Sequence, residues 1–311
     1  MKIVRAEAPA TIANLGPCFD ALGIALSEPK DIVELSLDES SDSVVIEKIE
    51  GLTNSSISFN TSSNTAGLAV KTLINRLGLK IGLKIKIRKG IRPASGMGSS
   101  GASAAAAVYG LSNLLGLNEN MQLLVEAAAE GERAAANFPH ADNVAAALLG
   151  GVVVLKSHKP LEFINFPVPE KLRFAIVLPD VELVTADSRA VLPSQIGFRD
   201  SFSQLSSCAF LVAALLKGDL VKIGRAVNSD IIVEPARARL IKGFSEVKKA
   251  ALEAGAYGCS ICGSGPSIFA VCDESIQENI LGAMEDALKN LNIKFIGFKA
   301  KPSNEGAKII G

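Results

Sequence analysis

The chain lacks any imbalance of charge and any long apolar run. Its 311 residues include 32 Lys plus Arg and 32 Asp plus Glu, which gives a formal net charge of zero. A balanced charge argues against nucleic acid or an anionic membrane as the main partner. The longest nearly apolar run, residues 144–155, is too short to cross a bilayer, and residues 1–7 contain no apolar leader segment. We therefore expect a cytoplasmic protein that acts on a small molecule.

Histidine and cysteine are also scarce. The chain has two histidines, His140 and His158, and five cysteines. An odd number of cysteines is unusual for a secreted disulfide framework and favours a reducing compartment. Cys259 and Cys262 form a C-x-x-C pair, but a structural zinc site needs four ligands, and the chain has no second pair and no histidine at ligand spacing. We predict that these two cysteines are small buried residues.

Hydrophobic residues make up 48% of the chain, which predicts a well-filled interior. Strand-like patterns at residues 32–37 and 43–47 predict a hairpin. Residues 83–88 alternate apolar with basic side chains, as in a strand with one solvent-exposed face. Apolar residues at helical spacing predict helices over 66–77 and over about 120–137.

The second half is predicted to contain strands at residues 173–178, 268–271 and 293–300 and helices at residues 202–217, 242–254 and 275–291. Three prolines between residues 156 and 170 suggest a crossing from one domain to the next. We expect two domains, residues 1–155 and 156–311.

Residues 96–116 form a glycine- and serine-rich segment that leads directly into an alanine-rich helix. Three glycines among its first six residues carry no Cβ, so the backbone there can take positive φ and approach a ligand closely. Ser99 and Ser100 place hydroxyls at the predicted N-cap. Because the N-terminus of a helix presents unpaired N–H groups and a positive dipole, this segment predicts a phosphate site.

Most known phosphate loops do not fit this segment. It formally matches the dinucleotide pattern G-x-G-x-x-G, but a strand with a solvated face precedes it and a second helix follows it. The Walker loop and the H-R-D segment of protein kinases are absent from the chain. Two interpretations remain, a third kind of ATP loop and a capped helix whose glycines allow close packing.

Glu132 is out of place in the predicted helix over residues 120–137. At about 100° per residue, Glu126, Glu130 and Arg133 share the solvated face, whereas Glu132 lies on the opposite, apolar stripe. An unpaired carboxylate would be costly there. One partner that fits is Mg²⁺ held between this carboxylate and a serine hydroxyl of the loop, and the other is a buried ion pair with an arginine.

Polar residues gather in two further segments. Asn14 and Asp20 lie in a long loop of small residues, where they could recognise an amine or hydroxyl or simply cap turns. His140, Asp142 and Asn143 precede an apolar run, where they could orient a hydroxyl and its proton or cap the next helix.

In the second half, Thr185, Arg189, Arg199 and Arg237 lie near predicted loops and helix ends. Guanidinium groups grip carboxylates in bidentate fashion, but they also form ordinary ion pairs. The sequence does not decide between these two uses.

Residues 8–23, 92–103 and 263–267 together resemble the three motifs of the GHMP small-molecule kinases, in order and in spacing. Residues 8–23 and 139–143 are also similar to those of the homoserine kinases within that superfamily. The chain departs from the usual pattern at four positions, with Cys18 for Gly, Met97 for Leu, Arg92 for Pro and Cys262 for Ser.

The resemblance implies an α+β, two-domain GHMP kinase fold with the active site between the domains. The N-terminal domain would be like the second domain of ribosomal protein S5, and the C-terminal domain would be ferredoxin-like. The implied cofactors are ATP and Mg²⁺, with the adenine near residues 62–65. The expected ATP-binding residues are Asn64, Arg92, Pro93, Ala94, Ser95, Gly96, Met97, Gly98, Ser99, Ser100, Gly101 and Ala102, and the expected Mg²⁺ ligands are Ser100 and Glu132.

By the same resemblance, the substrate is L-homoserine and the reaction is in-line transfer of the γ-phosphoryl group of ATP to its hydroxyl. Its amine and hydroxyl would be held by Asn14, Asp20, His140, Asp142 and Asn143, and its carboxylate end by Thr185, Arg189 and Arg237, with Gly263 beside them. The expected catalytic residues are Glu132, Asn143 and Asp142. The sequence leaves the oligomeric state open, with a homodimer as one of the possible states.

Two alternatives stay open at this point. One is a GHMP kinase for another alcohol, such as mevalonate or shikimate, and the other is a catalytically silent sensor with the same fold. Paired arginines together with the Asp20 carboxylate favour a zwitterionic amino acid over mevalonate, which has no amine.

Overall fold

The structure, a computed structural model, describes residues 2–53, 57–117, 120–136, 140–181, 183 and 185–310, with the side chains of 136, 185 and 186 excepted. Over these residues, no helix is both long enough and apolar enough to cross a bilayer.

A mixed sheet forms the first half of the molecule. Its seven strands are β1 (Ile3–Ala13), β2 (Leu22–Asp38), β3 (Val44–Gly51), β4 (Gly82–Lys89), β5 (Val152–His158), β6 (Leu161–Phe166) and β11 (Lys308–Ile309). The main path runs β11-β1-β2-β4-β3, and β5 pairs with both β2 and β6. The helices of this half are α1 (Thr65–Arg76), α2 (Ser99–Leu115), α3 (Met121–Gly131), α4 (Arg133–Ala136) and α5 (Ala141–Leu149), with a short 3₁₀ turn over Thr61–Ser63.

The predicted hairpin between residues 32–37 and 43–47 is wrong. Both segments are strands, but β4 lies between them, antiparallel to β2 and parallel to β3. The chain passes from β3 through α1 to β4, and a helical crossover of this kind makes strands parallel. The alternation predicted for β4 is confirmed, since Leu83, Ile85 and Ile87 are buried and Lys86 is exposed.

The helix predicted over residues 120–137 is broken. It ends at Gly131, Glu132 forms a turn, and α4 begins at Arg133. A Cβ at position 131 would lie 2.5 Å from the Thr65 carbonyl oxygen, so glycine allows α3 to pack closely against α1. Glycine also lowers helix propensity, which explains why the break occurs here.

A four-stranded antiparallel sheet forms the second half. Its strands are β7 (Arg173–Pro179), β8 (Gly258–Ile261), β9 (Ile268–Cys272) and β10 (Phe295–Ala300), in the order β10-β7-β9-β8. The helices are α6 (Thr185–Ala190), α7 (Phe198–Lys217), α8 (Leu220–Val227), α9 (Val233–Ala238), α10 (Phe244–Glu253) and α11 (Gln277–Asn290). This β-α-β-β-α-β order is the ferredoxin-like arrangement. The strands and long helices predicted here are present, although α7 begins four residues earlier than expected.

Strand pairing shows where the chain leaves the first sheet. A division after Leu155 would cut β5, which continues to His158 and pairs with β6 as far as Phe166. The C-terminal β11 then returns to the first sheet, where Ile309 lies opposite Ala6. The first half of the molecule is therefore built from both ends of the chain.

Cys18 and Cys208, which are 190 positions apart, form a disulfide between the loop after β1 and helix α7. The chain thus forms a disulfide despite its odd number of cysteines, so that number does not indicate a reducing compartment. The prediction for the C-x-x-C pair is confirmed, because Cys259 and Cys262 are buried free thiols.

A buried ion pair joins β2, β4 and α2 below the glycine-rich loop. The ammonium group of Lys89 donates hydrogen bonds to the Asp31 carboxylate, to Ser103 Oγ (2.7 Å) and to the Ser99 carbonyl oxygen (2.7 Å). The Asp31 carboxylate also accepts the backbone N–H groups of Gly90 (2.9 Å) and Ile91 (3.0 Å). All three ammonium protons have acceptors, so the pair is a fully satisfied buried network.

Replacing Lys89 by Met should lower the free energy of unfolding by about 3–5 kcal/mol, because Asp31 would remain as an uncompensated buried charge. Lys86→Met on the same strand removes an exposed pair with Glu34 and should cost about 0–1 kcal/mol. Urea denaturation followed by circular dichroism measures both values. Equal losses of unfolding free energy in the two variants would show that the buried pair stabilises the protein no more than an exposed pair does.

Candidate active site

A cavity of about 410 Å³ lies between the two halves and takes its walls from both. The predicted residues that line it are Asn14, Asp20, Asn64, Pro93, Ala94, Ser95, Gly96, Gly98, Ser99, Ser100, Glu132, His140, Asp142, Asn143, Arg189, Arg237 and Gly263. The structure therefore brings together most of the residues that the sequence analysis singled out.

Five of the predicted site residues are not among the described residues that line the cavity. Arg92 forms an exposed ion pair with Asp180 (2.7 Å), and the Met97 side chain is buried in the core. Gly101 and Ala102 are buried within α2. Thr185 begins α6, but its side chain lies outside the described part of the chain, so its predicted contact is not tested.

The glycine-rich loop approaches the turn after β8 very closely. A Cβ on Gly96 would collide with the carbonyl oxygens of Cys262 and Gly265, and Gly96 itself has φ +81°. The Ser267 N–H donates to the Ser95 carbonyl oxygen (3.2 Å), which fixes the two segments together. The loop and the turn are thus joined backbone to backbone.

The N-terminus of α2 is open. Gly98, and not a serine, is the N-cap, and no side chain of a described residue caps the helix. Ser99 Oγ donates instead to the Ile91 carbonyl oxygen (2.9 Å), and Ser100 Oγ donates to Glu132 Oε2 (3.0 Å). In the part of the chain that the structure describes, no side chain accepts from the first N–H groups of this helix, and Ser99 and Ser100 line the cavity, as an anion site requires.

Glu132 points inward, as predicted. It is 5% exposed, and its Oε1 atom is buried without a hydrogen-bond partner among the described residues. Burial raises the pKa of this carboxyl to about 7. Its described contact is the Ser100 hydroxyl, so the alternative of a buried ion pair with an arginine finds no support.

Asp142 and Asn143 lie at the start of α5. Burial, and next the neighbouring Asp20 carboxylate, raise the pKa of Asp142 to about 7. Asn143 Oδ1 accepts a hydrogen bond from Thr11 Oγ1 on β1 (2.7 Å), and Asn143 Nδ2 lies 3.5 Å from Asp142 Oδ1. Thr11 therefore fixes the orientation of the Asn143 carboxamide.

Opposite charges meet at the other end of the cavity. Arg189 donates a hydrogen bond to Asp20, and His140 Nδ1 lies 3.7 Å from Asp20 Oδ1. Arg237 donates to the Gly263 carbonyl oxygen (2.8 Å), and burial lowers the pKa of its guanidinium to about 10. Burial also lowers the pKa of His140. One wall thus carries an acid and two guanidinium groups.

Asn14 lines the cavity, but both ends of its carboxamide are engaged within the protein. Its Nδ2 donates to the Gly263 carbonyl oxygen (3.0 Å), and its Oδ1 accepts the Asp20 N–H (3.0 Å). The side chain holds the loop before Asp20 against the turn at Gly263, which is a positioning contact that the sequence did not indicate.

Several polar residues of the cavity were not predicted from the sequence. Lys89 and Ser103 lie on its wall, and Thr11, which is not itself on the wall, donates a hydrogen bond to Asn143. A signal for Lys89 was present, since the alternation of β4 places it on the same face as the buried Leu83 and Ile87. The contact between Thr11 and Asn143 spans 132 positions and left no local signal.

Without ligands or divalent metal, the protein should lose stability as the pH rises from 5 to 8. The unfolded Asp142 has a pKa near 3.8 and the folded one a pKa of about 7. Between these values the folded chain binds more protons than the unfolded chain, so the free energy of unfolding falls with pH. Asp142→Asn should make this slope shallower, and the slope that remains comes from Glu132, whose pKa burial also raises to about 7.

Urea denaturation at a series of pH values in EDTA measures the slope. Asp286→Asn, which changes an exposed carboxylate on α11, is the control and should leave it unchanged. A slope in Asp142→Asn that is as steep as that of the native chain would contradict the assignment.

Comparisons with known proteins agree with this arrangement. A family model described as the GHMP kinases N terminal domain matches residues 64–151, and one described as GHMP kinases C terminal matches residues 211–290. A homoserine kinase from Chlorobium phaeovibrioides is 40% identical over 322 residues and covers 100% of both chains. One from Pyrococcus abyssi is 40% identical over 304 residues and covers 98% of both.

Solved structures show the same fold. The crystal structure of homoserine kinase from Cytophaga hutchinsonii superimposes with a TM-score of 0.94 at 40% identity, over 100% of this chain and 98% of that one. Mevalonate kinase from L. major has a TM-score of 0.69 at 16% identity, covering 96% and 95%, which indicates the fold alone. By its two matched domains, its full-length relatives and its fold, the chain belongs to the GHMP kinase family.

Proposed function

We propose that this protein is a homoserine kinase, which transfers the γ-phosphoryl group of ATP to the side-chain hydroxyl of L-homoserine. The observation that carries the proposal is one cavity with an open helix N-terminus at one end and an acid with two guanidinium groups at the other. Relatives with that name, about 40% identical over nearly the whole chain, support it.

The triphosphate of ATP would lie along residues 96–100, where the free N–H groups of α2 meet its charge. The adenine would lie near Asn64, which is on the cavity wall. The Asn64 carboxamide already caps α1 through Oδ1 and donates to the Ser58 carbonyl oxygen (2.9 Å). Asn64 would therefore shape the adenine pocket more than hydrogen-bond to the base.

Ser100 and Glu132 fit a divalent cation. Their oxygens are the hard ligands that Mg²⁺ prefers. Glu132 Oε1 is buried with no hydrogen-bond partner among the described residues, and a cation would satisfy such an atom. Bound there, Mg²⁺ would neutralise charge that develops on the phosphates during transfer. A cation would also favour the ionised carboxylate despite its burial.

The amino acid would displace the contact between Arg189 and Asp20. Its ammonium group would pair with Asp20, and its carboxylate with Arg189 and Arg237, so each charge of the cavity wall would exchange one partner for another. A zwitterion fits this wall without leaving a buried charge unpaired, whereas mevalonate has no ammonium group for Asp20.

Asn143 would orient the accepting hydroxyl, because Thr11 fixes its carboxamide. Phosphoryl transfer proceeds through a loose transition state, so alignment and charge neutralisation supply most of the catalysis. Asp142 stands beside Asn143, with a pKa suited to accept a proton. We place Asn143, and not Asp142, against the accepting hydroxyl, so Asn143 has the orienting role, no protein base is available there, and the proton leaves to phosphate or solvent. A folded Asn143→Asp variant that turns over much faster would contradict this assignment.

An ADP-release assay with ATP and Mg²⁺ tests the proposal on homoserine, mevalonate, shikimate and L-2-aminobutyrate, which lacks the hydroxyl. We expect kcat/KM for homoserine to exceed the others by at least about 100-fold, since charged groups without a partner are costly. Faster turnover of mevalonate or shikimate would identify a different GHMP kinase, and binding without ADP release would identify a sensor.

In the same assay, Asp20→Asn should lower kcat/KM for homoserine by about 30-fold or more.

Glu132→Gln should lower kcat by about 100-fold or more and raise the Mg²⁺ concentration needed for half-maximal rate, because it removes an anionic oxygen at the phosphates. Glu130→Gln, two positions earlier and on the surface, is the matched control and should change neither value. An unchanged Mg²⁺ dependence in Glu132→Gln would place the cation elsewhere.

Because the proposed co-substrate is ATP, we place the protein in the cytoplasm, which cell fractionation tests.

A further inference from the structure

Two of the charged groups at the cavity share one aromatic ring, that of Phe19. The guanidinium carbon of Arg189, on α6, lies over this ring at 5.2 Å from its centre, and that of Arg237, on α9, lies at 5.1 Å. A cation within about 6 Å of the centre of an aromatic ring is attracted by the negative face of that ring. Phe19 therefore makes a favourable contact with both guanidinium groups.

The ring is close to the cavity without being described as part of its wall. Arg189, Arg237 and Asp20 are among the described residues that line the cavity, and Phe19 is not. The side chain of Phe19 is partly buried. We therefore expect the ring to act on a bound molecule through the guanidinium groups that it contacts.

The loop that carries Phe19 is fixed on both sides of the ring. Cys18 forms the disulfide with Cys208 of α7, and the Asp20 N–H donates a hydrogen bond to Asn14 Oδ1 (3.0 Å). The ring is thus a rigid support for two long side chains. Such a support lowers the entropic cost of binding, because fewer rotamers of the two arginines have to be given up when a ligand arrives.

The two guanidinium groups repel each other. Arg237 is 3% exposed, and burial lowers its pKa to about 10, while the Asp20 carboxylate raises this pKa and the positive charge of Arg189 lowers it. Because the face of an aromatic ring is negative, its contact with both cations offsets part of their repulsion. The ring thereby favours an arrangement in which the two groups stay close together.

The contact with the ring is also compatible with ligand binding. In the structure Arg189 donates a hydrogen bond to Asp20, and in the proposed complex it would donate to the substrate carboxylate instead. A guanidinium group can contact a ring with its flat face while its N–H donors, which lie in its plane, remain available to a carboxylate. Arg189 could therefore exchange one carboxylate for another without leaving Phe19.

We propose that Phe19 is a positioning residue that holds Arg189 and Arg237 together as a clamp for the carboxylate of the substrate. This role rests on the proposed function, in which these two groups bind the carboxylate of L-homoserine. The strength of the clamp depends on the negative charge of the ring face. The ring therefore controls the affinity for the amino acid and leaves the binding of ATP and the rate of phosphoryl transfer unchanged.

Fluorination of the ring separates its charge from its packing. Each added fluorine withdraws electrons from the ring face and leaves the ring apolar, so a loss of affinity on fluorination reports attraction to cations. Phe19 is replaced in the full chain by mono-, di- and trifluorinated phenylalanine. The Kd of L-homoserine, measured by calorimetric titration with ADP and Mg²⁺ present, should rise stepwise, to about 10-fold for the trifluorinated ring.

Two ordinary substitutions extend this series. Phe19→Leu removes the ring and keeps an apolar side chain, and it should raise the Kd of L-homoserine by about 10-fold, whereas Phe19→Tyr keeps the ring and should change it by less than about 3-fold. In both variants kcat and the KM for ATP should stay within about 2-fold of the native values, because only ground-state binding of the amino acid changes.

The chain offers a matched control ring in Phe244. Lys248 Nζ lies 5.9 Å from the centre of this ring, and neither residue is among the described residues that line the cavity. Trifluorinated phenylalanine at position 244 should leave the Kd of L-homoserine unchanged.

The matched ligand is L-homoserinamide, which keeps the amine and the hydroxyl but has no negative charge. Because the clamp acts on the carboxylate, fluorination of Phe19 should change the Kd of this amide by less than about 2-fold.

Three results would overturn the role of Phe19. An unchanged Kd across the fluorinated series, in a chain that binds and phosphorylates L-homoserine, would refute this role and leave the proposed function standing. An equal loss of affinity for L-homoserinamide, or a loss of kcat, would show that the ring supports the cavity as a whole. A native chain that neither binds nor phosphorylates L-homoserine would refute the proposed function and this role with it.

Discussion

The active-site cavity depends on one steric constraint, the close backbone contact between the glycine-rich loop and the turn after β8. At Gly96 there is no space for a Cβ beside the Cys262 carbonyl oxygen, and its φ of +81° suits glycine. This contact holds the start of α2 at the boundary of the two halves. The open helix N-terminus and the charged wall near Arg237 consequently face one another across a single cavity.

Two kinds of buried charge lie around that cavity. The pair of Lys89 and Asp31 is complete, since each group has its full set of partners within the protein. Glu132 is incomplete, because its Oε1 atom has no partner among the described residues, and burial raises the pKa of both Glu132 and Asp142 to about 7. Complete networks hold a fold, whereas groups that are buried without enough partners mark the positions where a ligand supplies what is missing.

The sequence predicts the chemical groups of the site better than it predicts the contacts between segments that are distant along the chain. A glycine-rich loop before a helix and a carboxylate on an apolar stripe are local patterns, so both the open N-terminus of α2 and the inward Glu132 could be foreseen. The parallel pairing of β3, the disulfide of Cys18 and the bond from Thr11 to Asn143 join distant segments. Local periodicity says which face of a strand is buried, but not which strand lies beside it.

The disulfide has a consequence that reaches beyond the two residues it joins. It closes a covalent ring of 190 positions, which contains the glycine-rich loop, Glu132 and Arg189. A ring of that size restricts the denatured chain and, in the chain-entropy treatment, favours the folded state by about 5 kcal/mol. A proteolytic cut in an exposed turn inside the ring would leave both fragments attached, so nicked molecules would keep their parts together until a reductant opens the bond.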